Sequence, residues 1–310
     1  MARPIPPDHP PFAALPVRFM TVGGAGARLA VHVAGRLGAG RTPLLCLPGY
    51  TRNMTDFTEF AALIRQRLGP AWPVVLVDLR GRGRSSDRAR AGDYSSIADA
   101  ADVAELARAL AIDTAIVIGQ GHGGQVAMAL AAERPTLIAA SVLIDAGPAT
   151  AARSLIRLRS NIQAISASRG VAGITLMLRR MLAADYPDLP PEDLDRLAQR
   201  AQRIDQEGRA RLLFDKALIE RLAEFEQDDV FLPQWQLFDL LVGRPMLVVT
   251  SELTDQLPRE LVVEMAERAP DAFRLTIPGR GSPALLDREP EITGIATFIR
   301  DVTAASARAA

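Results

Sequence analysis

The sequence predicts an α/β fold with a mostly parallel central sheet and helices on both of its faces. Short, continuously apolar segments such as 44–47, 115–118 and 137–144 alternate with amphipathic helical segments along most of the chain. Within residues 115–134, an apolar strand, four glycines and a helix of small residues follow one another directly. Both observations are typical of strands that are connected through helices and are buried on both faces.

The part of the chain before residue 148 is predicted to contain a hairpin and then strands and helices in alternation. Alternating apolar residues predict strands at 17–22 and 28–34, separated by a glycine turn. The next strands are expected at 44–47, 72–79, 114–118 and 137–144, and helices at 54–68, 93–111 and 125–134. Before the hairpin, six prolines between residues 4 and 16 predict an extended, flexible arm at 1–16.

After residue 148 the pattern changes from alternation to helix alone. Helical periods are found at 151–168, 171–184, 192–206 and 211–226, with little strand signal between them. The sheet is predicted to resume with strands at 246–250 and 273–277, followed by helices at 258–268 and 291–302 respectively. We therefore expect a core of residues 17–147 and 244–303, an inserted helical cap at 148–243, and a short tail at 304–310.

The composition restricts the classes of function that this chain can have. The 36 basic and 36 acidic residues give a formal net charge of zero, which argues against an electrostatic nucleic-acid binder. No run approaches the roughly eighteen apolar residues of a membrane span, and the N-terminus carries no apolar signal segment. We therefore expect a cytoplasmic monomer or homodimer that binds a small-molecule ligand, without nucleic acid, membrane, metal ion or cofactor.

The segment Gly119–Gly123, which we call the elbow, lies between an apolar strand and a helix of small residues. It resembles the nucleophile elbow, G-x-S-x-G, of the α/β-hydrolase superfamily. The segment 78–85 likewise resembles the D-x-R-G-x-G-x-S loop of that superfamily, and we interpret its arginines as structural partners of acids. The resemblance covers residues 17–303 and implies the α/β-hydrolase fold of a capped, lipase- or esterase-like member. The position of the nucleophile, however, is Gly121, which has no side chain.

A serine hydrolase of this fold needs a nucleophile, an acid and a histidine, in that order along the chain. The resemblance puts the acid after the strand that ends at residue 250, where Thr254 holds the commonest register and Asp255 comes one residue later. We take Asp255 as the acid position, although the register between the two stays open, and some members use an acid after the previous strand, here Asp145. The histidine position is occupied by Ser282.

The usual base is missing altogether, because the three histidines of the chain are His9, His32 and His122. The oxyanion donors of the superfamily are backbone amides, and they are retained here at His122 and at Tyr50, which follows Gly49. We expect Gly49, Tyr50, Gly121 and His122 to form a ligand pocket. The His122 side chain is interpreted either as a hydrogen-bonded, partly buried group or as a displaced base at the start of a helix.

The degenerate triad leads to three hypotheses about function. The first is a pseudoenzyme that binds a small, largely apolar carbonyl compound between cap and core without serine-hydrolase activity. The second is a non-covalent enzyme, such as a lyase, cyclase, oxygenase or atypical hydrolase, which uses His122 or Asp255 in the same pocket. The third is an inactive structural subunit. Without triad members, an acyl-transfer site retains only about 10³- to 10⁴-fold acceleration over water, which favours the first hypothesis over ordinary hydrolysis.

Overall fold

The computed structural model describes residues 9–23, 26–38, 40–223, 226 and 232–309. It contains two β-sheets, of eight and two strands. The strands are β1 (Arg18–Val22), β2 (Ala27–Ala34), β3 (Leu44–Leu47), β4 (Val74–Asp78), β5 (Ala115–Gln120), β6 (Ile138–Ile144), β7 (Gln202–Ile204), β8 (Ala210–Leu212), β9 (Met246–Ser251) and β10 (Phe273–Ile277).

The α-helices lie mainly between these strands. They are α1 (Pro10–Ala13), α2 (Thr58–Leu68), α3 (Ser96–Ala109), α4 (His122–Glu133), α5 (Ala152–Ala167), α6 (Val171–Asp185), α7 (Pro191–Ala201), α8 (Ala217–Glu220), α9 (Trp235–Asp239), α10 (Arg259–Arg268) and α11 (Glu289–Ala309). Across the described ranges, none of them is long and apolar enough to cross a membrane.

The large sheet has the strand order β1-β2-β4-β3-β5-β6-β9-β10. The two pairings that involve β2 are antiparallel, and every other pairing is parallel, so the mostly parallel sheet predicted from the sequence is confirmed. Along β5, Val117 packs into the apolar cluster on one face of the sheet, whereas Ile116 and Ile118 pack into the cluster on the other. Both faces are therefore covered, which explains the continuously apolar segments.

Helix α4 approaches the sheet closely because glycines form the contact. A Cβ on Gly123 would lie 2.0 Å from the carbonyl oxygen of Leu47, and a Cβ on Gly119 would lie 2.4 Å from the carbonyl oxygen of Gly123. A Cβ on Gly124 would lie 2.3 Å from that of Ala146. No side chain fits at these positions, so the glycines fix the start of α4 at the carboxyl edge of the sheet.

Both ends of the chain contain helix that the sequence did not predict. Residues 1–8 of the predicted arm lie outside the described residues, but Pro10–Ala13 is helical, and Phe12 and Leu15 are buried. The expectation of an extended arm is therefore wrong for residues 9–16, because a proline in the first turn starts a helix and apolar side chains anchor it. At the other end, α11 continues to Ala309 through most of the expected tail.

The segment inserted between β6 and β9 contains a hairpin as well as helices. Strand β7 pairs antiparallel with β8, so the helix predicted over 192–206 is wrong at residues 202–204, and the helix predicted over 211–226 is wrong at residues 211–212. The turn between them is built by Gly208, whose φ is +67°, and by Asp205, whose carboxylate accepts a hydrogen bond from the Arg209 amide at 2.8 Å. This local turn chemistry overrides the helical periodicity.

We predict that Gly123→Ala lowers the free energy of unfolding by about 1–3 kcal/mol or more, because the added methyl group meets a backbone oxygen. The matched control is Gly173→Ala in α6, where nothing lies within 4 Å of the Cβ position. The control substitution should raise the free energy of unfolding by up to about 1 kcal/mol, because alanine has a higher helix propensity than glycine. Urea unfolding followed by circular dichroism measures both, and equal effects would contradict the close packing of α4.

Candidate active site

The elbow turns the chain sharply between β5 and α4. Gly121 has φ +49° and ψ −113°, a conformation that side-chain-bearing residues rarely adopt. Its amide donates to Ile144 at 2.9 Å, and its carbonyl accepts from the Gly124 amide at 3.0 Å. The turn therefore has the strained geometry of a nucleophile elbow, but at the position of the nucleophile there is only a Cα atom.

A cavity of about 700 Å³ lies beside Gly121, between the edge of the sheet and the inserted segment. The four residues expected to form a ligand pocket, Gly49, Tyr50, Gly121 and His122, all line it. From the inserted segment come mainly apolar side chains, among them Leu158, Ile162, Leu178, Leu182 and Phe214. The structure thus brings the predicted pocket residues together in a space that is open to a small molecule.

Two backbone N–H groups at this cavity are left without a protein acceptor. Within the described part of the chain, the amides of Tyr50 and His122 donate to no other group. His122 is the first residue of α4, whose initial amides have no partner inside the helix. The peptide that carries the Tyr50 amide is held by a hydrogen bond from the Arg52 amide to the Gly49 carbonyl, at 3.1 Å. Both donors can therefore serve a carbonyl oxygen.

The His122 side chain is bound by a buried carboxylate. Its Nε2 lies 2.9 Å from Asp99 Oδ2, and its ring packs edge-on against Tyr50 with 5.4 Å between centroids. Burial lowers the pKa of His122 below its ordinary value, Asp99 acts in the opposite direction, and Arg82 adds to the decrease. The imidazole is therefore neutral at pH 7 and donates Nε2–H to Asp99, which agrees with the structural interpretation of His122.

Arg82 connects this carboxylate to the loop that follows β3. The Arg82 side chain is fully buried, and it donates to Tyr50 O at 2.8 Å and to Asp99 Oδ2 at 3.0 Å. Arg88 binds the other oxygen of Asp99 at 2.7 Å. Burial alone would raise the pKa of Asp99, but Arg82, His122 and Arg88 together hold it well below its usual range. Arg82 of the D-x-R-G loop is therefore a structural partner of an acid, whereas Arg80 donates to the backbone oxygen of Asp87 at 2.8 Å.

Ser282, at the expected histidine position, contacts the acid at the end of β6. Its Oγ lies 2.6 Å from Asp145 Oδ2 and 2.8 Å from Thr254 Oγ1. Asp145 also accepts hydrogen bonds from the Ser251 amide and hydroxyl, both at 2.7 Å. Burial raises the pKa of Asp145, and the hydrogen bonds from Ser282 and Ser251 act in the opposite direction.

Asp255, the acid position expected from the sequence, is engaged elsewhere. Its Oδ2 lies 2.6 Å from Arg157 Nε on α5, and Arg157 also pairs with Asp185 at 3.1 Å. The turn after β9 thus presents Thr254 to Ser282, while Asp255 faces the inserted segment. Of the acid positions considered from the sequence, Asp145 is the one that contacts Ser282 in the structure.

Sequence reasoning missed Gln256, which lies directly over the elbow. Its side-chain oxygen is 2.6 Å from the position that a Cβ on Gly121 would occupy. Its backbone is fixed by hydrogen bonds to Thr254 Oγ1 at 3.2 Å and from the Ala151 amide at 3.0 Å. A carboxamide therefore stands where a nucleophile would project, and no motif in the sequence marks this residue.

We predict that replacing His122 by Gln flattens the dependence of stability on pH below neutrality. An unfolded histidine titrates near pH 6.5, and the folded pKa of His122 lies below that value. Between these two pH values the unfolded chain binds more protons than the folded chain. The contribution of His122 to the free energy of unfolding is therefore fully present above about pH 6.5 and is lost as the pH falls. Urea unfolding at pH 7, 6 and 5 should show a smaller decline in His122→Gln than in the wild type. Parallel declines would contradict a neutral, buried imidazole.

Proteins with assigned activities are similar to this chain over much of its length. The 2-(acetamidomethylene)succinate hydrolase of Mesorhizobium japonicum is 27% identical over 259 residues, which are 83% of this chain and 87% of that protein. A 2-heptyl-3-hydroxy-4-quinolone dioxygenase of Rhodococcus erythropolis is 30% identical over 168 residues, which are 51% of this chain and 60% of that protein. These two relatives therefore have activities of different classes.

The fold and the family agree. The crystal structure of an alpha/beta hydrolase from Novosphingobium aromaticivorans matches with a TM-score of 0.78 and 29% identity, covering 92% of this chain and 98% of that one. The model of the alpha/beta hydrolase family matches residues 44–293, which include the elbow, the cavity and Ser282. The expected fold and resemblance are confirmed, and this chain belongs to the alpha/beta hydrolase family.

Proposed function

We propose that this protein binds a small, neutral, largely apolar carbonyl compound in the cavity and has no serine-hydrolase activity. The observation that carries the proposal is the elbow itself, where Gly121 offers no oxygen and the Gln256 carboxamide fills the adjacent space. The free amides of Tyr50 and His122 are the donors for the ligand's carbonyl oxygen. The inserted residues 148–243 act as the cap that covers the ligand.

Both reacting groups of a serine hydrolase are absent. Acylation needs a nucleophilic atom at Gly121, and a serine hydroxyl would in turn need an adjacent base to be reactive. Ser282 on its own cannot replace an imidazole as a base, since a hydroxyl that keeps its own proton gains a second one only at very low pH. What remains is binding and the oxyanion donors, which supply only about 10³- to 10⁴-fold acceleration over water.

The charged side chains of the cavity lining balance one another, since Arg52, Arg157 and Arg221 face Asp145, Asp185 and Asp255. Arg157 is shared between Asp185 and Asp255, so this cluster carries one positive and two negative charges. Asp145, near the elbow, adds a further carboxylate. The lining therefore has no excess of positive charge to hold an anion, whereas a neutral carbonyl compound uses the two amides and the apolar wall. The similar dioxygenase is named for a quinolone, which has a ring carbonyl group, whereas the similar hydrolase is named for a succinate, which also has carboxylates.

The two alternative functions have less support. A non-covalent enzyme that uses His122 or Asp255 would need those side chains free, but Asp99 and Arg157 already bind them. A purely structural subunit would leave unexplained a cavity of about 700 Å³ with two unused donors at its edge.

We predict that the ketone 2-tetralone binds more tightly than tetralin, the same ring system without the carbonyl group. Two hydrogen bonds worth about 1 kcal/mol each favour the ketone by on the order of tenfold or more. Ligand-observed NMR titrations of both compounds against the protein measure the difference. Equal affinities would contradict carbonyl recognition, and stoichiometric labelling by a fluorophosphonate would contradict the absence of a serine nucleophile.

We predict that esterase activity requires three changes together: Gly121→Ser, Ser282→His and Gln256→Ala. The new serine would otherwise meet the Gln256 side chain, and the new imidazole can be oriented by Asp145. Hydrolysis of p-nitrophenyl butyrate should be about 10²- to 10⁴-fold faster in the triple variant than in Gly121→Ser, the usual effect of a general base. A single Gly121→Ser variant as active as the triple variant would mean that a base is already present.

A further inference from the structure

The hydrogen bonds around Asp145 show which group donates the proton in each of them. An ionised carboxylate only accepts hydrogen bonds. The hydroxyls of Ser282 and Ser251 lie 2.6 Å and 2.7 Å from the same oxygen, Asp145 Oδ2. Both hydroxyls must therefore donate their single proton to Asp145.

Among the described residues, the remaining contact of Ser282 uses one of the two lone pairs on its oxygen. Since the proton of Ser282 goes to Asp145, its contact with Thr254 at 2.8 Å must be a hydrogen bond donated by Thr254. Thr254 is held in place for this by the Gln256 amide, which donates to Thr254 Oγ1 at 3.2 Å. A hydroxyl oxygen has two lone pairs, so the second one on Ser282 can accept a hydrogen bond from a molecule in the cavity.

The pair Asp145–Ser282 lies at the same cavity as the free amides, in a constrained backbone. Both residues line the cavity with Tyr50 and His122, and their exposed fractions are only 4% and 7%. Asp145 has φ +49°, which is unfavourable for a residue with a side chain. Its amide is nevertheless fixed by Val249 O at 2.9 Å. Strain of this kind persists where the surroundings hold a residue in position, and it is concentrated at functional sites.

We propose that Ser282, acting with Asp145, removes a proton from the carbon next to the carbonyl group of the bound compound. The proposal rests on the proposed function only in that the carbonyl oxygen is held by the amides of Tyr50 and His122. The carbon-bound proton passes to Ser282 Oγ while the proton of Ser282 passes to Asp145 Oδ2. The C–H electron pair becomes the C=C bond of an enolate, and the carbonyl π pair moves onto the oxygen at the two amides. When these transfers are reversed, Ser282 returns a proton to the carbon and takes one from Asp145, whose proton has exchanged with solvent.

Two physical effects favour this transfer. Burial raises the pKa of Asp145, which makes its carboxylate a stronger base than an exposed one, although its hydrogen bonds moderate the increase. Donors on the carbonyl oxygen stabilise the developing enolate, and a carboxylate combined with such donors is sufficient to remove a proton next to a ketone. Ser282 contacts the substrate, and Asp145 acts through Ser282 as a positioning residue and proton acceptor.

The experiment follows hydrogen–deuterium exchange at carbon 1 of 2-tetralone in D₂O by proton NMR. The wild-type protein should accelerate the exchange over buffer alone, with a rate that rises with pH as Asp145 ionises. Ser282→Ala should slow the exchange by about 10²- to 10⁴-fold, and Ser282→Thr, which keeps a hydroxyl, should restore most of it. The matched control is Ser141→Ala, because Ser141 is buried in β6 and its hydroxyl has no partner in the described part of the chain.

Each outcome decides the proposal. No acceleration by the wild type, or exchange in Ser282→Ala as fast as in the wild type, overturns it. Saturation-transfer NMR on the same samples reports whether the ketone is bound. Binding without exchange overturns the proton transfer and leaves the proposed binding function intact, whereas absence of both overturns the two together.

Discussion

The close packing of α4 on β3 and β5 is the constraint on which the rest of the site depends. Gly119 and Gly123 have no room for a side chain, so the helix starts where the sheet ends and its first residue, His122, lines the cavity. Since the carboxyl ends of parallel strands meet at one edge of the sheet, the loops after β3, β6 and β9 reach the same place. The Tyr50 amide, Asp145 and Thr254 come from these three loops.

A buried ionic network keeps this arrangement in register. Arg82 bridges the carbonyl of Tyr50 and the carboxylate of Asp99, and Asp99 in turn holds His122. Removing one partner of such a network leaves an uncompensated buried charge, at a cost of about 3–5 kcal/mol. The imidazole of His122 is therefore part of this network, and the proton transfer that we propose uses Asp145 and Ser282 instead.

The sequence predicted the fold well because the decisive signals were local. Glycines between an apolar strand and a small-residue helix define the elbow, and apolar periodicity defines most strands and helices. The hairpin β7–β8 was missed because the turn at Asp205 and Gly208 outweighs a helical period. Asp255 was preferred to Asp145 because spacing cannot reveal its ion pair with Arg157, a residue 98 positions away in the chain. Gln256 was missed for the same reason, since only the folded backbone brings it over Gly121.

We propose that the elbow, which carries the nucleophile in serine hydrolases of this fold, forms part of a carbonyl-binding site in this protein. The most direct test is a crystal structure of the protein soaked with 2-tetralone. The account predicts the carbonyl oxygen within about 2.7–3.1 Å of the Tyr50 and His122 amide nitrogens, with no covalent bond to the protein. A ketone bound away from both amides, or a cavity that excludes it, would contradict the account.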